Sequence, residues 1–356
     1  MSKQKPIKIG SRRIGWGLPA FIIAEAGVNH NGDIELARHL VDVAVKAGAD
    51  AIKFQTFRAD AMVACDARKA DYQLQTTSPT ESQFEMLKRL ELSAAAHAEI
   101  KSYCQTSNLT FLSTPFDPDS IDLLDRLGVP AFKISSGDLS NLPLLQHAAA
   151  KGKPILLSTG MSDLEEVEEA VDAMHEAGCG EIILLQCVSN YPANPADVNL
   201  RAMQTMADKF RVPVGYSDHT TGIEIAMAAV ALGACVIEKH FTLDRSLPGP
   251  DHRASLEPDE LQSMIQSIRK VEAALGDGRK IPAASEVDTA SVARRSLMAA
   301  GAISAGTRLT AEMVVIKRPG TGLPPRMLKE LIGRALRVDV ASGSMLSLEM
   351  FDEQGR

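Results

Sequence analysis

An α/β fold, a (β/α)8 TIM barrel followed by a small β-rich domain, is what this sequence predicts, and three observations predict it. Short β-branched runs, apolar on both faces, alternate with amphipathic helical stretches, which is the pattern of a parallel sheet. Eight such units fit within the roughly 250 residues of one barrel. A stretch rich in Gly and Pro then ends the alternation, and only short strands and turns follow it. A doubly wound open sheet is the weaker alternative, because no GxGxxG follows the first strand.

Taken in order, Phe21–Glu25 is the first strand, and LARHLVDVAVKAGA behind it keeps apolar residues at helical spacing and ends at a glycine. Ala51–Gln55 is the second. Between residues 58 and 82 the next connection is long, with RKADYQLQTTSPTES polar throughout, and an excursion of that length on a barrel carries function or acts as a lid. Thr110–Thr114, Phe132–Ser135 and Ile155–Thr159 continue the series. The helix LEEVEEAVDAMHEAG follows, its EEVEE run reading as a solvated face. Ile182–Cys187, Val212–Tyr216 and Cys235–His240 complete the eight strands, with the helix IEIAMAAVALGA between the last two. The predicted division is a barrel over residues 1–276, a linker over 277–294 and a β-rich domain over 295–356. That last segment holds RSLMAA, GTRLT, MVVIKRPGTGLPP, ALRVDVASGS and MLSLEMF as strand candidates. So short a segment is expected to have little core of its own and to pack on the barrel or on a partner subunit.

Composition narrows the function. The 356 residues are 45% apolar with net charge −7, so no basic footprint for nucleic acid exists. An anionic substrate would need a local cationic site. The five cysteines form no CxxC pair and suit reduced thiols. The amino terminus, MSKQKPIKIGSRR, has no apolar core of a signal peptide, and no run is long enough to span a membrane. A cytoplasmic protein without a membrane partner is expected.

In a barrel the carboxyl ends of the strands line the active site. Those ends carry Glu25 with Asn29 and His30; Lys53 and Gln55; Ser113 and Thr114; Lys133, Ser135, Ser136 and Asp138; Ser158 and Thr159; Gln186, Ser189 and Tyr191; Ser217, Asp218 and His219; Glu238 and His240. Two lysines and several hydroxyls on one rim make a cradle for phosphate and carboxylate. Two histidines at neighbouring strand ends can converge on one divalent cation, with imidazole suited to Mn, Fe, Co or Zn. Glu25, a carboxylate in an apolar strand, meets the condition for a raised pKa and proton-transfer work. His30, His39, His97, His147 and His175 read as packing or surface residues, and PGTG at 319–322 is too short for a phosphate loop.

The motifs AEAGVNHNG (24–32), KFQTF (53–57), STPFD (113–117), FKISSGDLSNLP (132–143), LSTGM (157–161), GYSDHTTG (215–222), EKHFTLD (238–244) and GPDHRASLEP (249–258) together resemble the sialic acid synthase family. RRSL (294–297) and VVIKRPGTGLPP (314–325) resemble that family's SAF, or antifreeze-like, β-clip domain. The resemblance covers nearly the whole chain. It implies condensation of phosphoenolpyruvate with an N-acylated mannosamine-type sugar to a nine-carbon 3-deoxy-2-keto acid and phosphate. N-acetylmannosamine, giving N-acetylneuraminate, is the first expectation, and 2,4-diacetamido-2,4,6-trideoxymannose, giving a legionaminate, is the alternative. Carried over by position, His219 and His240 would hold a divalent cation, Mn²⁺ first with Mg²⁺ or Co²⁺ as alternatives, and Glu25 would handle protons. Lys53, Thr114, Lys133, Ser136, Ser158 and Ser217 would bind phosphoenolpyruvate. Gln55, Tyr191, Asp251 and Arg318 would serve the sugar or the cation's water, with Arg318 reaching a partner's barrel in a domain-swapped homodimer.

Two positions depart from the family pattern. Asp138 stands where some members carry Glu, and Ser189 where some bacterial members carry Asn, both in the sugar region. The stretch 72–86 is similar to synthases of either product. A pyruvate aldolase would need no phosphate cradle and would release no phosphate. A non-catalytic carbohydrate-binding protein would have no need of Glu25, His219 and His240 together.

Overall fold

The computed structural model describes residues 5–70, 73–74, 77–78 and 80–352, and the chain divides into two units, Met1–Gly276 and Asp277–Arg356. In the first, a hairpin of β1 (Ile7–Ile9) and β2 (Arg12–Ile14) precedes eight parallel strands. These are β3 (Phe21–Gly27), β4 (Ala51–Thr56), β5 (Thr110–Pro115), β6 (Phe132–Ile134), β7 (Ile155–Ser158), β8 (Ile182–Cys187), β9 (Val214–Asp218) and β10 (Val236–His240). Hydrogen bonds join them in the order β5-β4-β3-β10-β9-β8-β7-β6, and β5 lies beside β6, so the sheet closes into the expected barrel. β9 begins two residues later than the sequence suggests, because Pro213 has no N–H to give the ladder.

Strand alternation builds two cores. Inward residues Phe21, Ile23, Leu112, Leu156, Ile183 and Val236 fill the barrel, and Ile7, Ile9 and Ile14 of the hairpin pack with them. Outward residues such as Ile22, Phe54, Phe132, Leu157 and Tyr216 meet the helices. The hairpin escapes a reading by periodicity because Lys8, Arg12 and Arg13 leave its two three-residue strands without an apolar run.

The helices begin and end as their sequence dictates. α1 (Ile34–Ala47) is capped by the Asp33 carboxylate and stops at Gly48, whose φ of 84° closes the turn. In the long connection after β4, α2 (Ala59–Met62) is followed by α3 (Gln83–Leu90), which opens on a Ser82/Glu85 capping box. The Lys69 ammonium, buried between them, donates to Thr77 Oγ1 (3.0 Å), Ser78 O (2.9 Å) and Glu81 Oε2 (2.9 Å). Tyr72, Gln75, Thr76 and Pro79 of the stretch 72–86 lie outside the described residues. No helix among the described residues is long and apolar enough to cross a membrane.

The second unit departs from expectation in two ways. The stretch 277–294, read as a linker, contains a 3-10 turn at Ala284–Glu286 and a helix at Val287–Ala293. The segment after it has its own core, with Leu297, Leu309, Leu331, Leu336, Val340, Leu346 and Phe351 buried together. Among its described residues only β11 (Ser296–Ala299) and β12 (Val314–Lys317) pair as a ladder; the other strand candidates make single bridges such as Ile303 to Val340. Alternating Gly and polar residues break each run before a ladder can extend. The 318–322 loop is tied down by Ser296 Oγ donating to Pro319 O (2.7 Å) and Gly320 N donating to Ser291 O (2.7 Å).

Candidate active site

Above the apolar filling of the barrel, the same inward positions become polar. Glu25 follows Ile23, Lys53 follows Ala51, Thr114 follows Leu112, and Ser158 follows Leu156; each has a buried side chain. Lys133, Ser217 and Glu238 complete the layer. They line a cavity of about 430 Å³ at the carboxyl ends of the strands.

Four ionisable groups share its floor. Lys53 Nζ lies 2.8 Å from Glu25 Oε2, donates to Thr114 Oγ1 (2.7 Å) and stands 3.8 Å from Glu238 Oε2. Lys133 Nζ lies 3.4 Å from Glu238 Oε1, to which Ser217 Oγ donates at 2.8 Å. Burial pushes the Glu25 carboxyl up from 4.5 to about 8; Lys53 opposes this and the Glu238 charge adds to it. Burial acts on Glu238 too, but Lys133, Lys53 and the Ser217 hydroxyl outweigh it and hold that carboxylate well below its ordinary range. One carboxyl is therefore protonated and the other ionised at neutral pH, which is how enzymes divide acid from base. Burial lowers Lys133, with the Glu238 charge opposing; Lys53 is raised, its burial outweighed by Glu238 and Glu25.

Hydroxyls line the same cavity as the two ammonium groups. Ser136 Oγ and Ser189 Oγ are 2.7 Å apart, and Ser158 Oγ is buried with no hydrogen-bond partner among the described residues. An unpartnered buried hydroxyl in the same cavity as two ammonium groups is the complement of an anionic oxygen. Gly160 lets this wall close up: a Cβ there would collide with Ser189 Oγ and lie 2.8 Å from Cys187 Sγ.

On the other side, His219, His240 and Tyr191 form a ring cluster. The imidazole centroids are 5.6 Å apart, and Tyr191 is 4.2 Å from His219 and 5.5 Å from His240. His219 Nδ1 donates to Val188 O at 2.6 Å, which leaves the Nε2 lone pair available, and His240 Nδ1 is buried without a partner among the described residues. Burial lowers His219 to about 4 and takes His240 well below 6.5, so both rings are neutral, the form that ligates. These residues fit a divalent cation as a two-imidazole site. No group of three or more His, Cys, Asp or Glu suited to a metal exists among the described residues, so other donors must complete the shell. A β-bulge after Glu25 turns the strand here. Gly27 sits at φ 53°, which favours glycine, and a Cβ there would press at 3.3 Å on both Glu25 Oε1 and His240 Cε1.

Gln55, Ser189, Tyr191 and Asp251 also line the cavity, and burial raises Asp251 to about 6. Asp138, expected there, is turned into its own 3-10 turn, where its Oδ2 accepts from Ser135 Oγ at 2.9 Å. Arg318, expected to serve a partner's barrel, belongs to the second unit, where it is exposed. Alternation also sends some strand-end residues outward. Ser113 bonds Thr56 Oγ1 (2.6 Å), Thr159 Oγ1 donates to Leu185 O (3.1 Å), and Gln186 donates to Val198 O (2.9 Å). Of the histidines read as packing or surface residues, His97 is a packing one, buried and paired with Thr56 Oγ1 at 2.8 Å. Sequence reasoning gave Glu238 no role, although it stands two residues before His240 on the same inward face. It also missed the apolar wall of Val28, Met86, Leu87, Phe116 and Met161.

The NeuB family model matches residues 40–280, and the SAF domain model matches residues 294–352. The chain is 46% identical over 344 residues to the N,N'-diacetyllegionaminic acid synthase of Legionella pneumophila, spanning 96% of this chain and 97% of that one. It is 49% identical over 315 residues to the protein of the same name from Campylobacter jejuni, spanning 88% and 94%. Among solved structures, the N-acetylneuraminic acid (sialic acid) synthetase of Leptospira borgpetersenii in complex with citrate superposes with TM-score 0.71 at 38% identity. That likeness covers 81% of this chain and 96% of that one.

Proposed function

The chain belongs to the NeuB family, and from that premise we propose that it joins phosphoenolpyruvate to 2,4-diacetamido-2,4,6-trideoxymannose, giving a diacetyllegionaminate and inorganic phosphate. The enzyme is a phosphoenolpyruvate-dependent nonulosonic acid synthase, a transferase. The choice of sugar rests on the identities of 46% and 49% to two diacetyllegionaminic acid synthases. The apolar wall agrees with it, because acetamido methyls and a deoxygenated C6 need apolar contact. N-acetylmannosamine is the second reading, favoured by the 38% identity to the sialic acid synthetase.

The chemistry follows from the two sides of the cavity. C3 of phosphoenolpyruvate attacks the sugar aldehyde, water adds at the C2 cation this creates, and the hemiketal phosphate expels phosphate. Lys53, Lys133, Thr114, Ser136, Ser158 and Ser217 hold the phosphate and carboxylate, turning a bimolecular encounter into a positioned one. His219 and His240 would hold a divalent cation, Mn²⁺ before Mg²⁺ or Co²⁺ given imidazole ligands, whose Lewis acidity polarises an aldehyde. Glu25, protonated and packed against His240, gives its proton to the aldehyde oxygen as that becomes a hydroxyl. Glu238, ionised between the two lysines, takes a proton from the water that attacks C2. Gln55, Tyr191 and Asp251 are left to orient the sugar, with Arg318 supplied by a second copy in a domain-swapped dimer.

The test is phosphate release from phosphoenolpyruvate with Mn²⁺, offering the diacetamido sugar, N-acetylmannosamine and its 6-phosphate separately. Preference for N-acetylmannosamine would overturn the choice of sugar, and no release with any of the three would overturn the reaction. For Arg318, mixing inactive Glu25→Ala with inactive Arg318→Ala protein should restore activity in hybrid dimers. No recovery after subunit exchange would reject the partner's contribution.

A further inference from the structure

Behind the two histidines, on the outer face of the same strands, lies a second ionic pair. Ser217 and Glu238 face the cavity, so their neighbours Asp218 and Lys239 face the helices. They are direct cross-strand partners, and theirs is the last rung of the β9–β10 ladder. Lys239 Nζ donates to Asp218 Oδ2 at 2.8 Å and to Thr220 O at 2.5 Å. Asp218 Oδ1 accepts from Thr220 N (2.9 Å), Thr220 Oγ1 (2.7 Å) and Tyr216 Oη (3.2 Å). Both residues are 1% exposed.

A buried ion pair is weak evidence of stabilisation. Removing two charges from water costs about what their attraction returns, and apolar residues of similar volume in such places are often neutral or stabilising. What the pair does is geometric. Asp218 immediately precedes His219 and Lys239 immediately precedes His240. Beyond the last rung no ladder bond links the two histidines to each other. His240 is held from its far side as the partner of Glu25, and His219 by Ala193 N donating to its carbonyl (2.8 Å). The residues just before them are what ties one strand end to the other. The ion pair and its bonds to Thr220, the residue after His219, clamp that corner from behind.

We propose that Asp218 and Lys239 are positioning residues that set the spacing of His219 and His240 and thereby the affinity of that pair for a divalent cation. The inference rests on the reading of the two histidines as cation ligands. Supporting groups behind ligating residues typically alter metal affinity about 10–100-fold when removed.

The experiment uses the full chain and Mn²⁺ alone, with unbound Mn²⁺ read by electron paramagnetic resonance and melting temperature recorded beside it. The double variant Asp218→Leu/Lys239→Met deletes both charges while keeping volume. It should melt within a few degrees of wild type, bind Mn²⁺ about 10–100-fold more weakly and keep its KM for phosphoenolpyruvate. Tyr216→Phe and Thr220→Val, each removing one donor to Asp218, should weaken Mn²⁺ by smaller factors and decide the matter if the double variant does not fold. Wild-type Mn²⁺ affinity in a folded double variant, or in both single variants where it does not fold, would overturn the positioning role alone. Mn²⁺ uptake by folded His219→Ala protein equal to that of wild type would overturn the cation reading and this inference together.

Discussion

Replacing Glu25 by Gln keeps the shape of the side chain and removes its ionisation. Burial moves this carboxyl from 4.5 to about 8, so between those values the folded protein holds a proton that the unfolded chain has released. The sign follows by linkage: stability is full below about pH 4.5 and drains away as pH rises, until Glu25 ionises inside the barrel near pH 8. At about 1.36 kcal/mol per pH unit, the wild type gives up about 3 kcal/mol by pH 7 and about 5 kcal/mol above pH 8, relative to a neutral side chain. Urea unfolding of the barrel at pH 4.5, 7 and 9 measures this, with phosphate release followed in parallel. The Glu25→Gln variant should nearly match wild type at pH 4.5 and exceed it by about 3 kcal/mol at pH 7. Turnover should fall about 10²–10⁴-fold, the usual worth of a proton-transfer group. A stability difference that does not change with pH would refute the reasoning, since Lys53 would then be holding Glu25 ionised at neutrality.

Lys133→Ala should raise KM for phosphoenolpyruvate about 10–100-fold, the worth of one charge-assisted hydrogen bond, with a smaller effect on kcat; an unchanged KM would remove Lys133 from the cradle. Because burial holds His219 at about 4, its competition between proton and Mn²⁺ should leave uptake flat from pH 8 to 6 and reduce it only as pH approaches 4. A midpoint near 6.5 in a Mn²⁺ titration series would show an ordinary exposed imidazole instead. Gly160→Ala should fold, yet lose affinity for phosphoenolpyruvate, as the new methyl displaces Ser189 and presses on Cys187; wild-type KM would mean that the wall yields without moving the cradle.

Much of the barrel was legible because its layers are written in alternation. A residue such as Glu25 or Lys53, two places beyond an inward apolar one, has to enter the cavity, while Ser113 and Gln186, one place off, must leave it. The same rule would have assigned Glu238 from the inward position of His240. Asp138 was less legible, since it follows a strand by four residues and its direction is set by a turn, with a local hydroxyl capturing it. The hairpin at residues 7–14 was hidden because Lys8, Arg12 and Arg13 interrupt its apolar residues, whereas Ile155–Leu157 of the short β7 is an unbroken apolar run. The core of the second unit was hidden because its members come from segments that meet mostly in single bridges. Lys69, a cation inside a polar loop, gave no sign of burial because its partners Thr77, Ser78 and Glu81 come from a turn that only the folded chain brings round.

The pairing of β3 with both β4 and β10 has a consequence for biosynthesis. β3 is the first barrel strand to leave the ribosome and β10 the last, and in the closed sheet His240 lies directly beside Glu25. At about 5–20 residues per second, one edge of β3 waits about 10–40 s for its partner. An apolar strand edge open for that long is a template for pairing with another chain. The step that ends this exposure also joins the acid to the second imidazole, so catalytic competence and protection from misassembly arrive together, at closure.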